Sequence, residues 1–88
     1  MKATALINTT ATLSVENIDS TALSSFRYMG NHQQGSLEVT FQSGAVYLYR
    51  GVDYIKVLTM ATWVNGGESL GHYFSKNIRL AFPYERLA

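Results

Sequence analysis

Tyr47 and Tyr49, one residue apart beyond the tight turn Ser43-Gly44, are the residues best suited to chemistry. Alternate residues of a strand point to the same side, so the two phenols share one face of a sheet. Such a pair either receives planar ligands, at about 1–3 kcal/mol per stacked base, or lines a core with its hydroxyls satisfied. A second group follows in Ser69, Gly71, His72, Lys76 and Arg79. On a helix, His72, Lys76 and Arg79 share one face. That stripe could contact phosphates, with Arg50 or Lys56 nearby if the helices pack side by side, or it is the solvated side of an amphipathic helix. Ser69 suits a helix N-cap, and Gly71 in the first turn permits close approach of a ligand. The free amides there suit an anion, with His72 beside it.

Nucleophilic catalysis finds little support. Ser69 and His72 are close in sequence, but no carboxylate is spaced to orient the histidine, and His32 falls in a distant loop. The absence of cysteine removes disulfides, thiolate chemistry and cysteine-ligated zinc, and two histidines without metal-ligand spacing make a poor metal site. The expectation is a protein that is not an enzyme and needs no metal or cofactor. A net charge of +1 gives little long-range pull on polyanions, which argues against strong nonspecific nucleic-acid binding and leaves room for a local basic stripe. Low charge also weakens self-repulsion, so a homo-oligomer formed through a bare sheet edge is a candidate. Met1 to Ile7 opens like a signal peptide, but Asn8, Thr9, Thr10 and Thr12 interrupt the apolar run. A cytoplasmic protein with no membrane partner is expected, since no run is long enough to cross a bilayer.

The elements that must position these residues follow from periodicity. With 88 residues, one domain and one core are expected. Residues 3 to 15 alternate as a strand, with Ala11, Leu13 and Val15 on one side, and Glu16 to Thr21 read as a turn. A strand over Leu23 to Met29 puts Phe26 and Tyr28 opposite Ser25 and Arg27. Gly30 to Gly35 reads as a polar loop. Leu37, Val39 and Phe41 alternate ahead of Ser43-Gly44, and the next strand covers Ala45 to Arg50. The loop sets the register. A two-residue loop pairs Phe41 with Val46 and Val39 with Leu48, turning the tyrosines away from the aliphatic face. A three-residue loop with a bulge shifts the pairing by one and puts both phenols among the aliphatic residues. The spacing of Tyr54, Ile55, Val57, Leu58 and Ala61 predicts a helix over Asp53 to Trp63, ended by Asn65-Gly66-Gly67. A last helix runs from Ser69 to Ala81 with Leu70, Tyr73, Phe74, Asn77 and Ile78 inward, and Pro83 stops it. The fold class is α+β, an antiparallel β-meander of three to four strands followed by two helices packed on the sheet.

The ordered series Ser20, Tyr28, Leu37-x-Val39-x-Phe41, Gly44, Tyr47-Leu48-Tyr49 with Val52, then Ser69-x-Gly71-x-Tyr73-Phe74 and Ile78-Arg79 resembles the lysine tRNA synthetase C-terminal (KTSC) domain family, centred on Tyr-x-Tyr. The resemblance covers Ile18 onward as a family-like core and leaves residues 1–17 as an added strand. Three departures stand out: Asp53 where the family usually has proline, Arg27 where glycine usually precedes Tyr28, and the longer link Trp63 to Glu68. The resemblance implies a small bacterial or phage module that binds RNA or a nucleotide. Tyr28, Tyr47 and Tyr49 would stack, and Arg50, His72, Lys76 and Arg79 would contact phosphates. The rival expectation is a protein-interaction module that inhibits a host enzyme or sequesters a signalling molecule.

Overall fold

The computed structural model describes residues 10–18, 22–62 and 68–88. Five strands, β1 (Ala11–Val15), β2 (Leu23–Gly30), β3 (Gln34–Phe41), β4 (Val46–Asp53) and β5 (Tyr84–Arg86), form one antiparallel sheet in sequential order. Helix α1 (Tyr54–Thr62) follows β4 directly, and α2 (Glu68–Phe74) runs without a break into a π-helical turn, Ser75–Arg79. The architecture is α+β as expected, with five strands rather than three to four. The expected extension of β1 back to residue 3 and the Asn65-Gly66-Gly67 stop lie outside the described residues.

Both helices pack on one face of the sheet. Phe26 and Tyr28 from β2, Leu37 and Val39 from β3, and Tyr49 and Val52 from β4 meet Val57 and Met60 of α1 and Leu70, Phe74 and Ile78 of the last helical segment in one buried cluster. Alternation alone would turn Val52 away from Tyr49. A bulge at Gly51, where φ is 69°, adds a residue to β4 between Val52, opposite Gly35, and Tyr49, opposite Leu37, and so returns Val52 to the core. Helix α1 begins at Tyr54 rather than at Asp53, because Asp53 still pairs with Gln34 and the Tyr54 amide donates to the Gln33 carbonyl at 2.9 Å.

The expected loop from Gly30 to Gly35 is tighter, with both glycines inside the sheet. The Asn31 Oδ1 accepts from the amides of Gln33 and Gln34 at 2.7 and 2.9 Å, which replaces the backbone partners lost at the turn. The last helix is also shorter than expected, because residues beyond Arg79 leave it and Tyr84–Arg86 joins the sheet. Pro83 stops the helix as read, but its carbonyl accepts from the Arg50 amide at 3.1 Å and leads the chain into β5. No helix among the described residues is long and apolar enough to cross a membrane.

Candidate functional site

The register of the β3–β4 hairpin determines where the tyrosines go. The Gly44 amide donates to the Phe41 carbonyl, and the Phe41 amide to the Ala45 carbonyl, both at 2.9 Å, so Gln42-Ser43-Gly44 is a three-residue loop. Gly44 has φ of 96°, the conformation such loops need at their last position. Val39 therefore pairs with Tyr47 and Leu37 with Tyr49, which puts both phenols on the helix-covered face. Tyr49 is 2% exposed, whereas Tyr47, nearer the hairpin tip, is only partly buried. Their rings stack with centroids 6.5 Å apart.

The helices do not cover the whole face at the hairpin end, and a groove of about 490 Å³ remains there. Its floor is aromatic. Phe41 meets Tyr47 edge-on at 5.5 Å, and Phe74 from α2 meets Phe41 and Tyr49 edge-on at 5.7 and 5.4 Å. The hairpin tip, Gln42 and Ser43, bounds one side, and Gly71, Ser75 and Arg79 bound the helical side. On the sheet side β5 contributes Tyr84, 57% exposed, with its ring 5.3 Å from Tyr47 and 5.5 Å from Tyr49. Arg86, two residues on and on the same side of β5, holds its guanidinium 5.9 Å from the Tyr47 ring centre.

The π turn explains which cation reaches the groove. On an ordinary α-helix a four-residue repeat drifts around the axis; the wider i→i+5 turn reverses the drift. Gly71, Ser75 and Arg79 thus align on the groove, as Leu70, Phe74 and Ile78 align on the core. His72 and Lys76 are exposed and do not line it. The expected face shared by His72, Lys76 and Arg79 assumed α-helical geometry throughout, and the π turn takes Arg79 out of it.

Of the other sequence candidates, Tyr47, Tyr49, Gly71 and Arg79 come together, and Tyr28 and Arg50 do not. Tyr28 is fully buried, its hydroxyl donating to the Asn31 carbonyl at 2.7 Å, so it has no free ring face for stacking. Arg50 emerges on the opposite face of the sheet and forms an ion pair with Glu85. Ser69 lies in the first turn of α2. Tyr84, Arg86 and Ser75 were not among the candidates; Tyr84 and Arg86 belong to a strand of only three residues, too short for a periodic pattern.

Electrostatically the groove is positive. Among the described residues it is lined by no carboxylate and no imidazole, and the ion pairs, Arg27–Glu38 and Arg50–Glu85, do not involve Arg79. Burial holds the Tyr49 phenol above its usual pKa, an effect opposed by the nearby Arg79 and reinforced by Tyr84 and Tyr47. Tyr28 is raised too, by burial first and then by Tyr54 and Asp53. Both rings are neutral at physiological pH, and Arg79 carries the groove's charge.

The family model of the KTSC domain matches residues 19–82, the span that contains the Tyr47-Leu48-Tyr49 strand and the helix carrying Gly71, Phe74 and Arg79. The chain belongs to the KTSC domain family. Strands β1 and β5 lie outside the matched span, so this KTSC domain lines one side of its groove with Tyr84 from a segment that the family model does not match. No curated protein and no solved structure matches the chain.

Proposed function

We propose that this KTSC domain is a non-enzymatic binding module whose hairpin-end groove takes a nucleotide unit, either free or within RNA. The observation that carries the reading is the juxtaposition of a partly open aromatic surface, Tyr47 with Tyr84, and a cation, Arg79, that is in neither ion pair among the described residues, around one groove. A base stacks on the phenol faces, and its phosphate meets the guanidinium, which presents several donors in a fixed plane. Ser75, Gln42 and Ser43 supply polar edges. A groove lined by neither a carboxylate nor an imidazole among the described residues lacks the usual general base, which favours binding over turnover.

Fluorescence anisotropy with a labelled trinucleotide of RNA at low salt tests this reading. Binding below about 100 μM, weakened at least about tenfold by Arg79→Gln with unchanged melting, is the expected result. No binding up to that concentration would remove the nucleotide reading.

A second reading, association with a protein surface, draws on the other face of the sheet. No described element covers that face, which carries Met29, 57% exposed, along with Leu48 and the two ion pairs. Light scattering at high concentration checks self-association, and a strictly monomeric chain would count against that form of it.

A further inference from the structure

We infer that the groove is a site for a single nucleotide unit, gripped at its rim by Tyr84, rather than one station on a track for a nucleic-acid strand. The inference rests on the nucleotide reading above and specifies its ligand class. The groove's 490 Å³ is the size of a small-molecule site, within the ~300–1,000 Å³ typical of such sites. Proteins that hold a strand without sequence preference instead extend a positive groove along about 4–16 nucleotides, with aromatic rings placed in succession.

Among the described residues the charge does not extend that way. Arg27 and Arg50 are paired with Glu38 and Glu85 on the opposite face. Lys56 donates to the Asn77 carbonyl at 3.4 Å and sits 5.2 Å from the Phe82 ring centre. Lys76 does not line the groove. Among the described residues Arg79 is the cation that lines the groove, while Arg86, whose Nε donates to the Ala88 carbonyl at 2.8 Å, sits 5.9 Å from the Tyr47 ring centre outside that lining, so the charge suits one phosphoryl group.

The aromatic surface is equally local. Tyr49 and Phe74 form a buried floor, Phe41 and Tyr47 are partly buried, and Tyr84, 57% exposed, is the most open ring among the described residues that line the groove. The planes of Tyr47 and Tyr84 are tilted by 42°, so they form a shallow angle that seats one base rather than a level platform for several. Tyr84 lies beyond the matched span 19–82, which makes the rim grip a property of a segment outside the family match.

Calorimetric titration with a 5′-monophosphate and with the di-, penta- and decanucleotide of the same base separates the two kinds of site. Affinity expressed per nucleotide unit is expected to stay within about threefold along the series, because each added unit finds no further groove cation or ring among the described residues. Tyr84→Ala is expected to weaken mononucleotide binding about tenfold at an unchanged melting temperature. A pentanucleotide bound more than about tenfold tighter per unit, with a salt dependence near the ~−0.7 per phosphate of a strand binder, would overturn the single-unit site while leaving the nucleotide reading in place. Full affinity in Tyr84→Ala would overturn the rim grip. Silence along the whole series would overturn both readings.

Discussion

The two ends of the same sheet face use the same side chains to opposite effect. At the Asn31 end, Tyr28 lies over the glycine pair Gly30 and Gly35, is covered by Tyr54 at 5.3 Å, and has its hydroxyl satisfied by the Asn31 carbonyl. At the Ser43 end, Tyr47 and Tyr84 lie side by side with their rings tilted by 42°, and the helical cover stops short, leaving the groove. Type and spacing alone do not distinguish the tyrosines; what differs is the cover. A turn closed by Asn31 and a helix that starts directly from the strand seal one end, while a three-residue hairpin loop and a short edge strand leave the other open.

The comparison breaks most readily at Tyr49 and Tyr84, neighbours across the β4–β5 pair with opposite exposure. Tyr49→Ala removes a ring from the core and is expected to cost about 3–5 kcal/mol in urea unfolding. Tyr84→Ala is expected to cost less than about 1 kcal/mol. Equal losses would mean that the Ser43 end is sealed as tightly as the other.

Gly35→Ala probes the sealed end. An added Cβ would lie 2.4 Å from the Met29 carbonyl oxygen and 2.7 Å from the Gly30 Cα, backbone atoms that cannot swing aside. A loss of about 3 kcal/mol is expected in the same assay. A loss below about 1 kcal/mol would show that this end relaxes easily.

The smallest effect is one of pH. Burial raises the Tyr28 and Tyr49 phenols above the usual value near 10, so the folded chain holds those protons more tightly than the unfolded chain does. The stability this contributes is complete below about pH 10 and is lost as pH rises from there through the folded-state values. Ultraviolet titration should find two of the six tyrosines ionising late, together with a fall in unfolding free energy in that window. All six titrating together near 10 would contradict the burial of these two.

Periodicity was enough to read β2, the β3–β4 hairpin and α1, because each has a clear two- or 3.6-residue pattern: Phe26 with Tyr28, Leu37 with Val39 and Phe41, Tyr54 with Val57. The pairing of Tyr47 and Tyr49 on one face was equally legible. Whether that face was covered was not, since it turned on whether the loop held two residues or three, and Ser43-Gly44 is compatible with both. The site was legible in part. Arg79 was found, but its alignment with Ser75 instead of Lys76 depends on a π turn whose Ser-Lys-Asn-Ile-Arg sequence reads as ordinary helix. Strand β5 escaped because its three residues gain their structure from the edge of β4 and not from a pattern of their own. Arg50 was misread as a neighbour of the basic helix because the strand pleat sends it to the far face, where Glu85 meets it.

The most direct test of the open end is amide chemical-shift mapping with a nucleoside monophosphate. The account predicts that signals of Ser43, Tyr47, Gly71, Ser75 and Tyr84 move together while those of Gly30, His32 and Gly35 stay still. Shifts concentrated around His32 and Tyr54, with the hairpin tip and β5 unchanged, would contradict it.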